Sequence, residues 1–464
     1  MHKTLALLCL SLLPLSAQAV SLDGTTLSMW WGLPFLGTIL SVATFPLFAP
    51  KFWHRHFGKV TAFWSLAFLL PLMSAYGAYA GVEVMSHALF SEYLPFILLL
   101  VVLYTVSGGI LVAGDFVATP KFNLSLLALG TLLASFMGTT GAAMLLIRPL
   151  LAANQNRRHK THVVIFFIFL VANIGGGLTP LGDPPLFLGF LSGVDFFWTM
   201  RYMLWPVLMM SSILLLLFYA LDTYYFHKEG LETKPTSKLS FVLFGKVNFI
   251  LLLVVIAAIL VSGFWHPNVH YVIFGTSVPI EGLIRDGVFV LVTLVSLMIT
   301  PKQVRGGNDF TWAPMKEVAK LFLGIFITIT PVIVMLKAGS AGAFSAIHDL
   351  AHYADGSPNN VMYFWVTTAL SAGLDNAPTY LVFFNMASGD AQLLMGPLAQ
   401  TLLAISMGTV FTGPLTYIGN APNFMVKTMA EERGYAMPSF FGYFLIALAV
   451  LLPLYGLMNW VFLR

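Results

Sequence analysis

Long apolar segments follow one another along this chain, and they constrain its fold more than any other feature of the sequence. The first three cover residues 29–50, 60–79 and 93–113. Each is long enough to cross a bilayer, since an α-helix needs about 20 apolar residues to do so. Only 9% of the 464 residues are charged, whereas a soluble domain has about a quarter. The sequence therefore predicts an all-α polytopic membrane protein in a lipid bilayer and excludes a soluble enzyme.

The charged residues between these segments predict how the chain crosses the membrane. The connector after the first segment, residues 51–59, is basic, whereas the next connector contains Glu83 and Glu92 and no Lys or Arg. Since cytoplasmic loops are enriched in Lys and Arg, the first connector is predicted to be cytoplasmic and the second external. The net charge of +4 lies in such loops. It acts as a topology signal, and no nucleic-acid binding is predicted.

Residues 1–19 have the pattern of a cleavable secretory signal. A basic start at His2 and Lys3 precedes an apolar stretch, residues 5–15, and the segment ends in Ala-Gln-Ala. The alternative is a short first helix that is not cleaved. Cleavage would place the mature N-terminus outside the cytoplasm, in agreement with the charge pattern. It would also remove Cys9, the single cysteine, and with it any disulfide, thiol nucleophile or Cys-ligated metal.

The next segment, residues 121–156, is interrupted by Gly-Thr-Thr-Gly at residues 138–141. It has Lys121 at one end and Arg157 and Arg158 beyond the other, so both ends are basic. Two short apolar legs with both ends on the basic side favour a re-entrant hairpin over a full crossing.

A broken helix follows this hairpin. The apolar run that begins at His162 contains five glycine or proline residues before Asp183-Pro184-Pro185, all within residues 173–185. A helix cannot continue through them, and exposed amides would be unsatisfied in lipid, so the break must be buried in protein or line a cavity. A further span, residues 202–221, is predicted to return to the cytoplasm, where residues 222–246 form a linker.

The second half repeats this order of elements. Three spans are predicted at residues 247–265, 286–300 and 318–336; then come a hairpin at 360–387 interrupted at 373–379, a helix broken at 413–423, and a last span at 440–462. Leu-Thr-Pro-Leu-Gly-Asp-Pro-Pro of the first break aligns with Leu-Thr-Tyr-Ile-Gly-Asn-Ala-Pro of the second. Tip-to-tip spacing is about 43 residues in both halves.

Because the linker is predicted to be cytoplasmic, the second half begins inside and the first outside. The predicted organisation is a signal peptide (1–19), a first inverted repeat (20–221), a cytoplasmic linker (222–246) and a second inverted repeat (247–464). Inverted halves with Gly/Pro breaks at corresponding positions indicate a secondary transporter.

The interruptions carry the candidate binding residues, which all offer oxygen and include no Cys or His. An oxygen-rich set of this kind suits a hard monovalent cation better than a soft metal. The set is Thr139, Thr140, Asn173, Thr179, Asp183, Asp375, Asn376, Thr379, Thr416, Asn420 and Asn423.

Asp183 and Asp375 are the predicted centres of this site, as ligands for Na⁺. A carboxylate at bilayer depth is costly and usually marks an ion pathway. Burial favours the protonated form and an approaching cation favours the ionised form, so Na⁺ and H⁺ would compete for the same carboxylate. The alternative is that each aspartate only caps the following helix.

Arg148 is the candidate charge partner. It follows the first hairpin tip within an apolar stretch, where it is predicted to pair with an acidic residue or to contact an anionic substrate. The alternative is that its side chain extends to the cytoplasmic surface.

The motifs at the breaks and at the second tip resemble those of a known family. Residues 172–176 (Ala-Asn-Ile-Gly-Gly), Gly182-Asp183-Pro184-Pro185 and Leu374-Asp375-Asn376-Ala377-Pro378-Thr379 are similar to motifs of the ion transporter superfamily. The resemblance is to the branch that holds NhaD-type sodium/proton antiporters, arsenite permeases and putative citrate transporters. Where NhaD-like antiporters tend to have Asp-Asn at the first hairpin tip, this chain has Thr139-Thr140, which removes one carboxylate.

The resemblance implies a scaffold part and a transport part, a homodimer, elevator-like movement and a multi-pass location in the inner (plasma) membrane of the bacterial type. It implies Na⁺ and H⁺ as transported or coupling ions and no cofactor. Sodium/proton exchange is the first interpretation, because two aspartates at the tips would repel a carboxylate unless cations neutralised them. The alternative is sodium- or proton-coupled symport of citrate or a dicarboxylate. An enzyme is not predicted, since neither a nucleophile/base pair nor an H-E-x-x-H motif is present.

Overall fold

The computed structural model describes residues 22–114, 116–230 and 241–463. The predicted signal sequence, residues 1–19, lies outside the described residues. The helices before the gap at 231–240 are α1 (Leu33–Phe48), α2 (Pro50–Tyr76), α3 (Ala78–His87), α4 (Leu94–Ser107), α5 (Pro120–Met137), α6 (Thr139–Ala153), α7 (Thr161–Leu170), α8 (Pro184–Leu191) and α9 (Phe196–Lys228).

The helices after the gap also include both long and short elements. They are α10 (Val247–Phe264), α11 (Ile280–Ile299), α12 (Lys302–Gly307), α13 (Ala313–Lys337), α14 (Ser345–Leu350), α15 (Asn360–Gly373), α16 (Asn376–Ala387), α17 (Ala391–Met395), α18 (Ala399–Val410), α19 (Ala421–Glu432) and α20 (Phe440–Phe462). Strand β1 (Leu111–Gly114) pairs antiparallel with β2 (Phe241–Phe244), and β3 (His270–Ile273) pairs with β4 (Thr276–Pro279).

The prediction of an all-α polytopic membrane protein is confirmed. Within the described ranges, nine helices are long and apolar enough to cross a membrane. The interruptions are also where the sequence places them: a turn separates α5 from α6 and α15 from α16, and single turns of 3₁₀-helix separate α7 from α8 and α18 from α19. The inverted orientation of the two halves across the membrane stays a prediction.

Two segments that the sequence assigns to connectors are helical. Pro50 opens α2, a position that favours proline, so the basic residues 51–59 form the first turns of that helix. Glu83 lies in α3 and Glu92 in a π-helical segment, Ala88–Tyr93, that continues into α4. Isolated charges therefore do not end these helices, because Lys, Arg and Glu all have good helix propensity.

The helix α9 is longer than the predicted span 202–221 and contains the first residues of the predicted linker. Asp222 is fully buried in it and pairs with Arg157 and, at 2.8 Å, with Nε2 of His162. Because the carboxylate is paired inside the protein, its charge does not require the helix to end there.

The first hairpin, formed by α5 and α6, has both of its ends at the same end of the bundle. Nδ2 of Asn123 donates to Oδ1 of Asn154 at 3.0 Å and to Oδ2 of Asp222 at 2.9 Å. These bonds bring the start of α5, the end of α6 and the last turns of α9 together. A re-entrant hairpin and a pair of full crossings both bring the ends together in this way, and α5 is long and apolar enough to cross, so the re-entrant form stays a prediction.

The broken helices lie inside the protein. Of the 18-residue segment Thr161–Leu178, 89% is buried, against 22% for the most apolar segments of α2 and α11. The large exposed side chains of α11, such as Leu291 and Met298, form an apolar outer surface. The irregular backbone of the breaks is therefore surrounded by protein, as their unpaired amides demand.

Candidate functional site

The first break is held in shape by close backbone packing. After α7 ends, residues Ile174–Leu178 form a 3₁₀ turn, and Pro184 opens α8. A Cβ atom on Gly182 would overlap the backbone of Gly176. Glycine is needed at this crossing because it lets two backbone segments touch.

The first hairpin tip docks onto this break through hydrogen bonds. The backbone N–H of Thr139 donates to the carbonyl of Gly182 at 2.9 Å. The hydroxyl of Thr179 donates to the carbonyl of Ser135, and the hydroxyl of Ser135 donates to that of Gly175. Thr179 therefore fixes the hairpin against the break, and its role as an ion ligand stays a prediction.

The second half repeats this arrangement. The hydroxyl of Thr416 donates to the carbonyl of Ala372 at 2.7 Å, and the sequence separation of 44 residues equals that of Thr179 and Ser135. A Cβ atom on Gly419 would lie 2.5 Å from the carbonyl oxygen of Gly413. The same local contacts thus build both tips.

Asp183 is the centre of a buried polar network that joins the two halves. The residue is only 1% exposed. Nδ2 of Asn376 donates to Oδ2 at 2.6 Å, and Nδ2 of Asn420 donates to Oδ1 at 3.1 Å. Asp183 precedes α8 but makes no side-chain capping bond to it, so capping does not explain this carboxylate.

Two further asparagines extend the network between the breaks. Nδ2 of Asn173 donates to Oδ1 of Asn423 at 2.7 Å. Nδ2 of Asn423 in turn donates to the carbonyls of Gly413 and Thr416, both at 2.9 Å. These amides satisfy carbonyls that the second break leaves unpaired, and they hold the two broken helices together.

Asp375 lies at the second hairpin tip in a different environment. Its Oδ1 accepts from the backbone N–H of Ala377 at 3.1 Å, which caps α16, and the residue is only half-buried. The hydroxyl of Thr379 donates to the Asp375 carbonyl at 3.2 Å. The capping alternative therefore describes the contacts of Asp375.

One oxygen beside Asp183 has no hydrogen-bond donor in the described part of the protein. It is Oδ1 of Asn376, which is buried. Thr139, Thr140 and Asp183 border a cavity of about 30 Å³ at the first hairpin tip. That volume holds about one water molecule. Asp183, the Asn376 oxygen and the Thr139 hydroxyl form the donor set that could hold a small cation.

Arg148 lies away from this network. It is buried in α6, and its Nη2 donates to Oδ2 of Asp309 at 3.0 Å. These contacts agree with one of the alternatives for Arg148, which is pairing with an acidic side chain. Across the described ranges, no group of three or more His, Cys, Asp and Glu side chains is placed to hold a metal ion.

Sequence reasoning missed the residues that support the tips from outside. Ser135 is one of them, and the others are two tyrosines of α20. The hydroxyl of Tyr443 donates to the Pro414 carbonyl at 2.7 Å, and that of Tyr455 donates to the Phe411 carbonyl at 2.6 Å. A buried phenol needs a hydrogen-bond partner, so the occurrence of tyrosines within an apolar span was the signal in the sequence that could have identified them.

A family model described as "Putative citrate transport" matches residues 24–463 of the chain. No curated protein matches the chain.

Proposed function

Because this chain belongs to the putative citrate transport family, we propose that it is a secondary active transporter coupled to a monovalent cation that binds at Asp183. In the first candidate function, Na⁺ and H⁺ compete for this carboxylate and are exchanged across the membrane. The protein is a multi-pass membrane protein, and we expect it in the inner membrane as a homodimer.

The unpartnered oxygen of Asn376 is the observation that carries this proposal. It is buried beside a buried carboxylate, and a buried acceptor without a donor costs about 1–3 kcal/mol. A cation between Asp183 and Asn376 would satisfy the oxygen directly. A proton on Asp183 would satisfy it as well, because the carboxyl O–H could donate to the amide oxygen. Na⁺ and H⁺ would thus each satisfy the unpaired Asn376 oxygen, and only one of them could do so at a time. Exchange requires this kind of competition.

The size of the cavity supports a small ion in this conformation. Sites for small organic molecules measure about 300–1,000 Å³, whereas the cavity beside Asp183 measures about 30 Å³. A tricarboxylate would require the tips to separate from the scaffold. We expect such a movement to be elevator-like, because each hairpin is hydrogen-bonded to the broken helix of its own half.

The second candidate function is cation-coupled symport of citrate or a related carboxylate, and the family match favours it. A cation bound at Asp183 would neutralise the site before the anion enters. Four helices, α6, α8, α16 and α19, begin at the tips, and their N-terminal amides would then face the carboxylate.

One vesicle experiment tests both candidates. Everted vesicles with the full chain should show Na⁺-induced dequenching of a pH dye in citrate-free buffer, and Asp183→Asn should abolish it. The matched control is Asp349→Asn, because Asp349 is an exposed residue outside the tips. Normal dequenching by Asp183→Asn would contradict the cation site. Sodium-dependent uptake of labelled citrate without dequenching would replace the first candidate by the second.

A further inference from the structure

We propose that Arg148 is the binding residue of a second site, which takes the carboxylate group of a small polycarboxylate. The site lies on α6, within the part of this helix that follows its first two turns. It is separate from the cation site and does not depend on the carboxylate being transported.

The guanidinium of Arg148 has more buried donors than the protein satisfies. The residue is 8% exposed, and its Nε and Nη1 are buried without an acceptor among the residues described. A buried charge needs full compensation by hydrogen bonds and an opposite charge. The unsatisfied donors therefore favour an anion-binding role for this side chain.

Asp309 compensates this charge only in part. It makes one contact with Arg148, through Nη2 at 3.0 Å, and its own side chain is 78% exposed. A carboxylate bound well by arginine accepts two parallel N–H bonds, and an exposed partner is screened by water. Asp309 also has a positive φ of 43°, in the left-handed region that aspartate adopts more readily than most residues. It acts as an internal carboxylate that occupies one edge of the site.

A second positive charge lies near Arg148. Arg433 follows α19, which packs on α6. Nε2 of Gln155, two turns beyond Arg148, donates to the Arg433 carbonyl at 3.2 Å. Two neighbouring guanidinium groups repel each other, and an anion with more than one carboxylate relieves that repulsion.

An apolar barrier separates Arg148 from the cavity beside Asp183. Tyr104 and Met315 line that cavity and pack with Met144, one helical turn before Arg148. The hydroxyl of Tyr104 donates to the Thr311 carbonyl at 2.8 Å, which ties the barrier to the loop that carries Asp309. Arg148 itself does not line that cavity, so the site proposed for it is distinct from the cation site.

The chemistry of the site favours a carboxylate over a spherical anion. The free Nε and the half-used Nη2 form the planar edge that matches two carboxylate oxygens. The group that already contacts this edge is a carboxylate. Citrate is the appropriate probe, because each of its carboxylates offers two oxygens to such an edge.

Citrate binding to the full-length protein in Na⁺-free buffer of constant ionic strength, measured by isothermal titration calorimetry, tests the proposal. Asp309→Asn removes the internal competitor and should lower the Kd for citrate about fivefold, the scale of a screened ion pair. Asp349→Asn, another exposed aspartate, should leave the Kd unchanged. Arg148→Gln should raise it at least tenfold.

The Asp309→Asn variant decides the outcome even if Arg148→Gln does not fold, because an exposed side chain can be replaced without opening the core. A Kd that stays unchanged in Asp309→Asn, or an absence of citrate binding to both this variant and the native chain, would overturn the proposal. Neither result bears on Na⁺-induced dequenching in citrate-free vesicles, so the failure of this site and of the cation site are distinguishable.

Discussion

The two halves of the molecule build their tips from the same backbone contacts but carry the carboxylate on different elements. In the first half, Asp183 precedes the second leg of the broken helix, and Gly138 precedes the second leg of the hairpin. In the second half, Asn420 holds the position before α19, and Asp375 the position before α16. A shared frame therefore supports two unlike sites, so the repeat of the fold does not imply a repeat of function.

The contacts of the two aspartates differ accordingly. Asp183 accepts from Asn376 and Asn420, which both belong to the other half of the chain. Asp375 accepts from Ala377 of its own helix. A change at Asp183 acts on the junction between the halves, whereas a change at Asp375 acts first on one helix end.

The largest difference is expected between Asp183→Asn and Asp375→Asn. Asparagine can replace Asp375 as a helix cap, since both residues are favoured there, but at Asp183 it removes the buried charge that would hold a cation. Asp183→Asn should reduce Na⁺-dependent proton movement to the level of empty vesicles, whereas Asp375→Asn should keep it with a higher apparent KM for Na⁺. Both are measured by dye dequenching.

Equal loss in both variants would show that the tips act as a symmetric pair of carboxylates, and the asymmetry drawn from their contacts would be wrong. The Asp349→Asn chain, reconstituted at the same density, is the control for protein amount and orientation.

A double variant, Asp183→Asn with Asn420→Asp, moves the carboxylate to the equivalent position of the second half. In the native chain, Nδ2 of Asn420 donates to Oδ1 of Asp183. The double variant keeps this hydrogen-bonded pair, with the donor at residue 183 and the acceptor at residue 420. We expect partial recovery of Na⁺-dependent dequenching over Asp183→Asn alone. The measurement is the dye dequenching of the single and the double variant, reconstituted at matched density. No recovery would mean that the contact of residue 183 with Asn376 is as important as the charge itself.

The glycine crossings offer a comparison of packing alone. Gly182→Ala and Gly419→Ala both insert a Cβ into neighbouring backbone, and the overlap is more severe at Gly182. Each should destabilise the protein by about 1–3 kcal/mol, the usual cost of overpacking, with the larger loss at Gly182. Thermal unfolding in detergent measures this as a lower Tm. Gly287→Ala is the matched control, because a Cβ there has open space, and an equal Tm for Gly182→Ala and the control would contradict the assigned packing.

The sequence was sufficient for the helix breaks because several glycine and proline residues stand close together there, among them Gly176, Gly182 and Pro184. A single proline does not break its helix, as Pro206 inside α9 shows. The sequence could not identify the partners of the charged groups. Asn376 and Asn420 lie 193 and 237 residues from Asp183, and Asp309 lies 161 residues from Arg148. Such pairs are determined by packing of the whole fold. For the same reason, charge alone misplaced the ends of α2 and α9, where side-chain pairing and burial decide.

The smallest expected effects concern the threonines that dock each hairpin on its broken helix. Valine has the shape of threonine without the hydroxyl, so Thr179→Val and Thr416→Val each leave a carbonyl without its donor, at a cost of about 1 kcal/mol. Thr179 is fully buried, whereas Thr416 is 6% exposed, and water can replace the lost bond more easily near Thr416. Thr179→Val should therefore lower the Tm more than Thr416→Val, while both keep Na⁺-dependent dequenching. The reverse order of Tm values would indicate that the second tip, despite its half-buried aspartate, is the more firmly docked of the two.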